Sequence, residues 1–343
     1  MIFNKFLKEL ISKSLLVFII RIVSLISGFY FLYLITQLYG ATGLGFFSLY
    51  QSYLMILVLF ALLGTDVASL KFVSQYVGDD NFIKIRSIYR TILKLVLPLS
   101  VLLSLILFFS KTCIVENIFN DDRMIIVLKY VALSILPMCL INIHSESFRG
   151  LKKVELYSIF RYLLVPIISI IFTWILFFKF QFGIITPILS YSLSILIISG
   201  LSTKAWFIEI DFLKSTNSNR TSLLDILNFS FPLFLSASMM LLLQWIDVVI
   251  LGYYVTTADI GIYNVVVKVS MISSIILFSI NSIAAPKFSE LFSKNKLDEL
   301  KELVKQTSKL IFVVSIPILL LIFMGKDYIF NFFGKEFMYG SMS

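Results

Sequence analysis

Long runs of apolar residues, each about 18 to 25 residues in length, alternate with short charged stretches along this chain. Such a run is long enough to cross the apolar core of a bilayer as a helix. The composition agrees, since 59% of the 343 residues are hydrophobic and 14% are charged, whereas soluble domains carry about 25% charge. A transmembrane barrel would instead show spans of about 10 residues with alternating polarity. We therefore expect an all-α polytopic membrane protein, because helices satisfy their own backbone polar groups in lipid.

Hydropathy over a window of about 19 residues divides the chain into nine predicted spans. They cover residues 15–38, 46–70, 92–109, 125–142, 159–178, 184–201, 227–253, 261–285 and 310–324. Two further apolar pieces, 328–333 and 337–339, resemble the start of a tenth span. The sequence thus predicts nine to ten transmembrane helices, and the end at Ser343 leads us to expect a truncated C-terminal bundle.

Positive charge is divided unequally between the two sides of these spans. Of the 29 Lys and Arg residues, 21 fall on the side that holds the N-terminus, 6 on the other side, and Arg21 and Lys268 within spans. Because cytoplasmic loops carry the excess of Lys and Arg, we expect a multi-pass protein of the inner (cytoplasmic) membrane with a cytoplasmic N-terminus. Topology also explains the net charge of +9, so no nucleic-acid partner is needed.

The sequence matches itself at an offset of 216 residues. Gly45 falls on Gly261, and the Lys-Phe pair at 71–72 falls on the pair at 287–288. Six spans separate the copies, so both point the same way; the alternative is a chance match in a biased composition. A parallel repeat predicts two helical bundles related by a pseudo-two-fold axis with a cavity between them. We expect a six-helix N-terminal bundle at 1–203, a cytoplasmic linker at 204–226 and an incomplete C-terminal bundle at 227–343.

Several short motifs carry a resemblance to a known family. They are YGATGLG at 39–45, GTD at 64–66, KFVSQY at 71–76, RGLK at 149–152, FP at 231–232, Asp247, LGYY at 251–254, ADIGIYN at 258–264, APKFSE at 285–290 and GKEF at 334–337. Together they resemble the Wzx-type polysaccharide flippases, in the superfamily that also holds multidrug and toxic-compound extrusion transporters and lipid II flippases.

That resemblance implies 12 to 14 helices in two bundles and a transport function. The cargo would be undecaprenyl-diphosphate-linked oligosaccharide repeat units, moved from the cytoplasmic to the outer leaflet by alternating access for lipopolysaccharide O-antigen or capsule biosynthesis. Partners would be membrane lipid and the polymerase and chain-length proteins of the same pathway.

Four charged residues lie within or near the ends of spans, where charge is costly unless it faces a cavity, a partner or the interface. Arg21 and Lys268 suit the binding of a diphosphate, and Asp66 and Asp247 suit counter-charges or coupling-ion sites. By depth, Arg21 could meet Asp66, and Asp247 could meet Lys268. The alternatives are snorkelling for Arg21 and a plain ion pair between Asp247 and Lys268. We expect no catalytic residue, metal or cofactor.

Further polar side chains interrupt the apolar helices, and they would either bind sugars in a cavity or link helices. They are Tyr30, Tyr33, Gln37, Gln51, Tyr53, Gln244 and Asn264. Three functions other than a flippase are open to such a chain. A cation-coupled multidrug exporter would favour acidic cavity residues; a glycosyltransferase, polymerase or ligase would need a larger outer segment than residues 110–124; and a truncated, inactive copy would transport nothing.

Overall fold

The computed structural model describes residues 2–78, 82–119, 121–180, 182–211, 223–293 and 296–341. Within these residues every regular element is a helix, and no strand occurs. The predicted all-α class is therefore confirmed.

Ten α-helices are present in the described part of the chain. They are α1 (Ile2–Leu62), α2 (Thr65–Gly78), α3 (Phe82–Ile114), α4 (Arg123–Gly150), α5 (Val154–Ser158), α6 (Leu164–Lys179), α7 (Thr186–Asp211), α8 (Leu223–Tyr254), α9 (Thr257–Ser293) and α10 (Leu297–Phe333). A π-helical turn, Ile159–Leu163, joins α5 to α6, and a second, Val115–Phe119, follows α3. Short 3₁₀ turns occupy Gly183–Ile185 and Lys335–Ser341.

Seven helical segments in the described residues are long and apolar enough to cross a membrane. They are Leu16–Leu62, Ile83–Asn117, Arg123–Gly150, Val154–Lys179, Gly183–Ile210, Leu223–Tyr254 and Leu297–Phe333. The first of them holds nearly all of the predicted span 15–38 and most of 46–70, and the predicted span 261–285 lies on α9. The protein is thus a multi-pass membrane protein whose nine predicted spans are each largely helical.

Two glycines, Gly40 and Gly64, interrupt the helix in the region of the first two predicted spans. Within α1, Gly40 has a φ of 65° and a ψ of −166°, which separates the helix into two segments. The second predicted span, 46–70, is wrong as one continuous helix, since α1 ends at Leu62 and α2 begins at Thr65. Gly64 has a φ of 74°, and a Cβ there would lie 2.6 Å from the carbonyl oxygen of Ser230. The break thereby lets the backbone of α8 approach closely.

Two other predictions concern the second half of the chain. The prediction that a tenth span starts at 328–333 is wrong, because these residues form the last turns of α10, which is continuous from Leu297 to Phe333. Residues 337–339 lie in the 3₁₀ turn that follows. At the predicted linker, α7 extends to Asp211 and α8 begins at Leu223, and residues 212–222 lie outside the described part.

Helix α4 forms the centre of the first half and packs against α1, α2, α3 and α7. Polar side chains link these helices. The phenol of Tyr50 on α1 donates to Ser134 Oγ on α4 at 2.8 Å and accepts from Ser192 Oγ on α7 at 2.9 Å. Such interhelical hydrogen bonds help to hold a bundle in lipid, where hydrophobic burial gives little preference for helix association.

The two halves meet at a contact between α1 and α9 that is reciprocal. A Cβ on Gly45 would lie 1.6 Å from the carbonyl oxygen of Thr257, and a Cβ on Gly261 would lie 2.0 Å from that of Ala41. The two contacts are equivalent, because Gly261 follows Gly45 by 216 residues and Thr257 follows Ala41 by the same 216 residues. This is the pattern of a two-fold contact, and it supports the repeat that the sequence predicts.

Candidate functional site

A cavity of about 430 Å³ is lined mainly by the first half, namely both segments of α1, the α5–α6 region and α7, and by Lys268 of α9 from the second half. Its wall is mainly apolar and aromatic. The polar and aromatic groups that define it are Arg21, Gln51, Tyr162, Tyr191 and Lys268. No carboxylate is among the described residues that line it, so the formal charge of the wall is positive.

Arg21 reaches this cavity from the first segment of α1. Its guanidinium carbon lies 5.3 Å from the ring centroid of Tyr162, which also lines the cavity. The aromatic face attracts a cation through its quadrupole. The side chain is therefore directed at the cavity wall, which is where a substrate-binding role would require it.

Lys268 approaches from α9, in the other half of the protein. Its Nζ lies 5.4 Å from the ring centroid of Trp245 on α8. Among the described residues no carboxylate forms an ion pair with it. The structure thus brings together in one cavity the two cations that the sequence singled out, from opposite halves of the chain.

Asp66 does not line the cavity. It lies in the first turn of α2, where backbone N–H groups of its own turn bond the carboxylate. The cation with which it interacts is Arg161. Among the described residues no ion pair joins Asp66 to Arg21.

Asp247 is held by its own half. Tyr263 Oη donates to its Oδ2 at 2.5 Å, and the backbone N–H of Val248 donates to its Oδ1 at 2.7 Å. The alternative of a plain ion pair with Lys268 is not found in the described structure. The two predicted acids therefore lie apart from the two predicted cations.

Sequence reasoning missed several residues of this region. Tyr162, Tyr191 and Trp245 surround the cations, but aromatic residues are so frequent here that none stood out. Gln51 lines the cavity and hydrogen-bonds to Tyr191, which fits one of the two roles left open for it. Gln37 instead links helices, since its Nε2 donates to the carbonyl oxygen of Phe332 at 3.1 Å.

Glu336, near the end of the sequence, contacts the backbone at the break in α1. The backbone N–H of Ala41 donates to Glu336 Oε2 at 2.9 Å. An unpaired N–H at the start of a helical segment is a natural partner for a carboxylate. Together with the Gly45–Gly261 contact, it joins the two halves on the side that the charge distribution predicts to be outer. We call these two contacts the outer seam.

Comparisons with known proteins agree with this architecture. A family model described as "Polysaccharide biosynthesis protein" matches residues 6–292. No curated protein matches the sequence.

Solved structures of transporters resemble the chain in fold. The "inward-facing conformation of a multidrug resistance MATE family transporter of the MOP superfamily" aligns with a TM-score of 0.72 at 13% identity, over 94% of this chain and 74% of that one. A MATE protein in complex with MaD5 aligns with a TM-score of 0.64 at 14% identity, over 95% of this chain and 76% of that one. The MATE multidrug transporter DinF-BH aligns with a TM-score of 0.56 at 16% identity, over 93% of this chain and 74% of that one. At these identities the similarity concerns the fold alone.

Proposed function

The chain belongs to the polysaccharide biosynthesis protein family, and from this we propose that it is a flippase for lipid-linked oligosaccharides. Its family and fold are those of transporters, so the general activity is movement of a substrate across the membrane. The proposed cargo is an undecaprenyl-diphosphate-linked repeat unit for O-antigen or capsule. The proposed location is the inner membrane, with the N-terminus in the cytoplasm.

One observation carries the choice of cargo. Arg21 and Lys268 line the same cavity from opposite halves, and no carboxylate in the described wall neutralises them. Two cations that face a shared space attract a polyanion, and a diphosphate can be held by a forked guanidinium together with a point-like ammonium. The aromatic wall around them suits stacking against sugar rings and contact with an apolar chain.

Placement of the two cations also supports alternating access. Because Arg21 belongs to the first half and Lys268 to the second, a bound diphosphate would bridge the halves. Relative movement of the halves would then change the distance between the cations and hence the affinity for the anion. Asp66 and Asp247 lie outside the cavity, and we propose them as counter-charges or coupling-ion sites in their separate halves.

A multidrug exporter is the second candidate, because the fold resembles that of MATE multidrug transporters. The charge of the cavity distinguishes the two. Cationic drugs would be repelled by Arg21 and Lys268, whereas an anionic lipid headgroup would be attracted. The described wall therefore favours the flippase.

The experiment measures lipid-linked repeat units and surface polysaccharide in cells that lack the gene. Complementation uses the 343-residue chain, its Arg21→Gln and Lys268→Gln variants, and Lys129→Gln as a matched control. Lys129 is exposed on α4 and does not line the cavity. We expect the original chain and the control to lower the lipid-linked pool and restore surface polymer, and both cavity variants to fail.

Other outcomes would replace the proposal. An unchanged lipid-linked pool together with increased drug sensitivity in the deletion would establish the exporter. If the 343-residue chain restores nothing where a longer reading does, the chain is an inactive copy.

A further inference from the structure

Arg161 occupies an unusual position in the first half of the protein. It lies in the π-helical turn Ile159–Leu163 between α5 and α6. A π turn inserts one extra residue into a helix and is frequent at functional sites. The residue that follows Arg161 is Tyr162, whose ring makes a cation–π contact with Arg21.

The guanidinium of Arg161 has a buried nitrogen without a hydrogen-bond partner. Its Nη1 has no solvent contact and no acceptor, and no ion pair involves Arg161 in the part of the chain that the structure describes. The other arginines of known contact differ, since Arg149 bonds Glu146 at 3.3 Å and Arg123 bonds Asp121 at 2.8 Å. A guanidinium has five N–H donors, and buried donors are nearly always satisfied. Arg161 therefore has unused capacity to bind an anion.

Charged and phenolic groups from several helices surround Arg161 at longer range. Asp66 on α2 and Glu146 on α4 interact with it electrostatically, as do the phenols of Tyr157 and Tyr191. The carboxylate of Glu146 is already bonded to Arg149. These acids stabilise the positive charge without occupying its donors.

Two neighbours of Arg161 line the cavity. Tyr162 and Tyr191 both line it, and Tyr191 is also within electrostatic range of Arg161. Arg161 thus stands behind the cavity wall, beside the residue that holds Arg21. Binding an anion in the cavity would require a change of rotamer that turns the fork of Arg161 toward it.

We propose that Arg161 is a third anion-binding residue, which takes a phosphate of the diphosphate headgroup when the substrate enters. The inference rests on the proposed function, because it assigns a new contact to the same cargo. Arg161 and Arg21 belong to the first half and Lys268 to the second. The first half consequently holds the diphosphate through two forks, and the second through one ammonium.

The test uses the purified 343-residue chain in lipid nanodiscs and three probes: undecaprenyl diphosphate, undecaprenyl monophosphate and undecaprenol. We expect Arg161→Gln to weaken binding of the diphosphate at least tenfold and to leave binding of undecaprenol unchanged. Equal binding of the diphosphate by Arg161→Gln and the original chain would overturn the inference. If the original chain does not prefer the diphosphate over undecaprenol, the proposed function fails together with it.

A double variant separates binding from neutralisation. If Arg161 serves only to neutralise a carboxylate, then Asp66→Asn combined with Arg161→Gln should restore binding of the diphosphate, and the inference falls. We expect no restoration. Should Arg161→Gln fail to fold, Arg161→Lys decides the matter, because it keeps the charge and loses the fork. We expect it to reduce the preference for diphosphate over monophosphate, and an unchanged preference would contradict the proposal.

Discussion

The guanidinium of Arg21 lies over the ring of Tyr162, with 5.3 Å between its Cζ and the ring centroid. Tyr162 Oη is in turn 3.0 Å from Tyr157 Oη. The aromatic ring and the hydroxyl group of Tyr162 therefore have separate contacts, and substitutions can remove one and keep the other.

Tyr162→Leu removes the aromatic face and Tyr162→Phe retains it. A cation–π contact contributes about 0.5–1 kcal/mol, so we expect Tyr162→Leu to weaken binding of the diphosphate lipid by about two- to fivefold. Tyr162→Phe should bind within twofold of the original chain. Titration of undecaprenyl diphosphate into nanodiscs measures both. Equal affinities for the Leu and Phe variants would show that the ring does not position Arg21.

Tyr263→Phe removes the hydrogen bond of 2.5 Å to Asp247. A hydrogen bond to a charged group contributes about 1.5–3 kcal/mol, and the remaining carboxylate loses a partner. We expect a lower melting temperature, measured by fluorescence-detected size-exclusion chromatography after heating. Tyr253→Phe is the control, because Tyr253 is exposed. Equal melting temperatures for the two variants would refute the stabilising role of this bond.

Gly45→Ala places a methyl group against the carbonyl oxygen of Thr257, where 1.6 Å is available. The seam between α1 and α9 must separate to relieve this clash. We expect at least a tenfold loss of transport, with the lipid-linked pool raised in cells. Gly200→Ala is the matched control, since nothing lies within 4 Å of the added Cβ, and it should behave as the original chain. Full activity of Gly45→Ala would mean that the seam is not needed in the transport cycle.

Glu336→Gln leaves the shape of the contact to Ala41 N–H and removes its charge. Because charge-assisted hydrogen bonds are about twice as strong as neutral ones, we expect the outer seam to open more often. A cysteine at Ser24 in a Cys113→Ser background would then react faster with a membrane-impermeant thiol reagent added from outside. Glu116→Gln, an exposed acid elsewhere, should not change the rate. An unchanged rate in Glu336→Gln would contradict this role.

Most of the helical architecture follows from the sequence, because lipid imposes simple rules on length and polarity. Eight of the nine predicted spans lie on continuous helical segments, and the span 46–70 is divided between α1 and α2. Depth along a span follows from the rise of about 1.5 Å per residue, which predicts Arg21 about 8 to 9 Å below the cytoplasmic face and Lys268 about 10 to 12 Å from the outer face. Which neighbouring helix or cavity a side chain faces was not predictable, because the sequence does not show how the helices pack against one another. For this reason depth alone allowed Arg21 to meet Asp66, whereas in the structure the cation near Asp66 is Arg161.

Arg161 shows a second limit. It lies three residues into the predicted span 159–178, and the charge count assigned it to the cytoplasmic loops. Only the π-helical turn and the unpaired guanidinium nitrogen distinguish it from a loop arginine. Sequence periodicity does not reveal a single-turn change of helix type.

The reciprocal contact of Gly45 and Gly261 fixes the backbone and leaves the side chains free to differ between the halves. Two identical subunits joined at such a contact would form a homodimer in which each cavity charge occurs twice. In this chain the repeat partner of Arg21 is Ala237, and that of Lys268 is Ser52. A single chain with an internal repeat can therefore have what a homodimer cannot, namely one guanidinium on one side of the axis and one ammonium at a non-equivalent position on the other. The two-fold relationship is present in the backbone contact at Gly45 and Gly261 and absent from the two cavity charges.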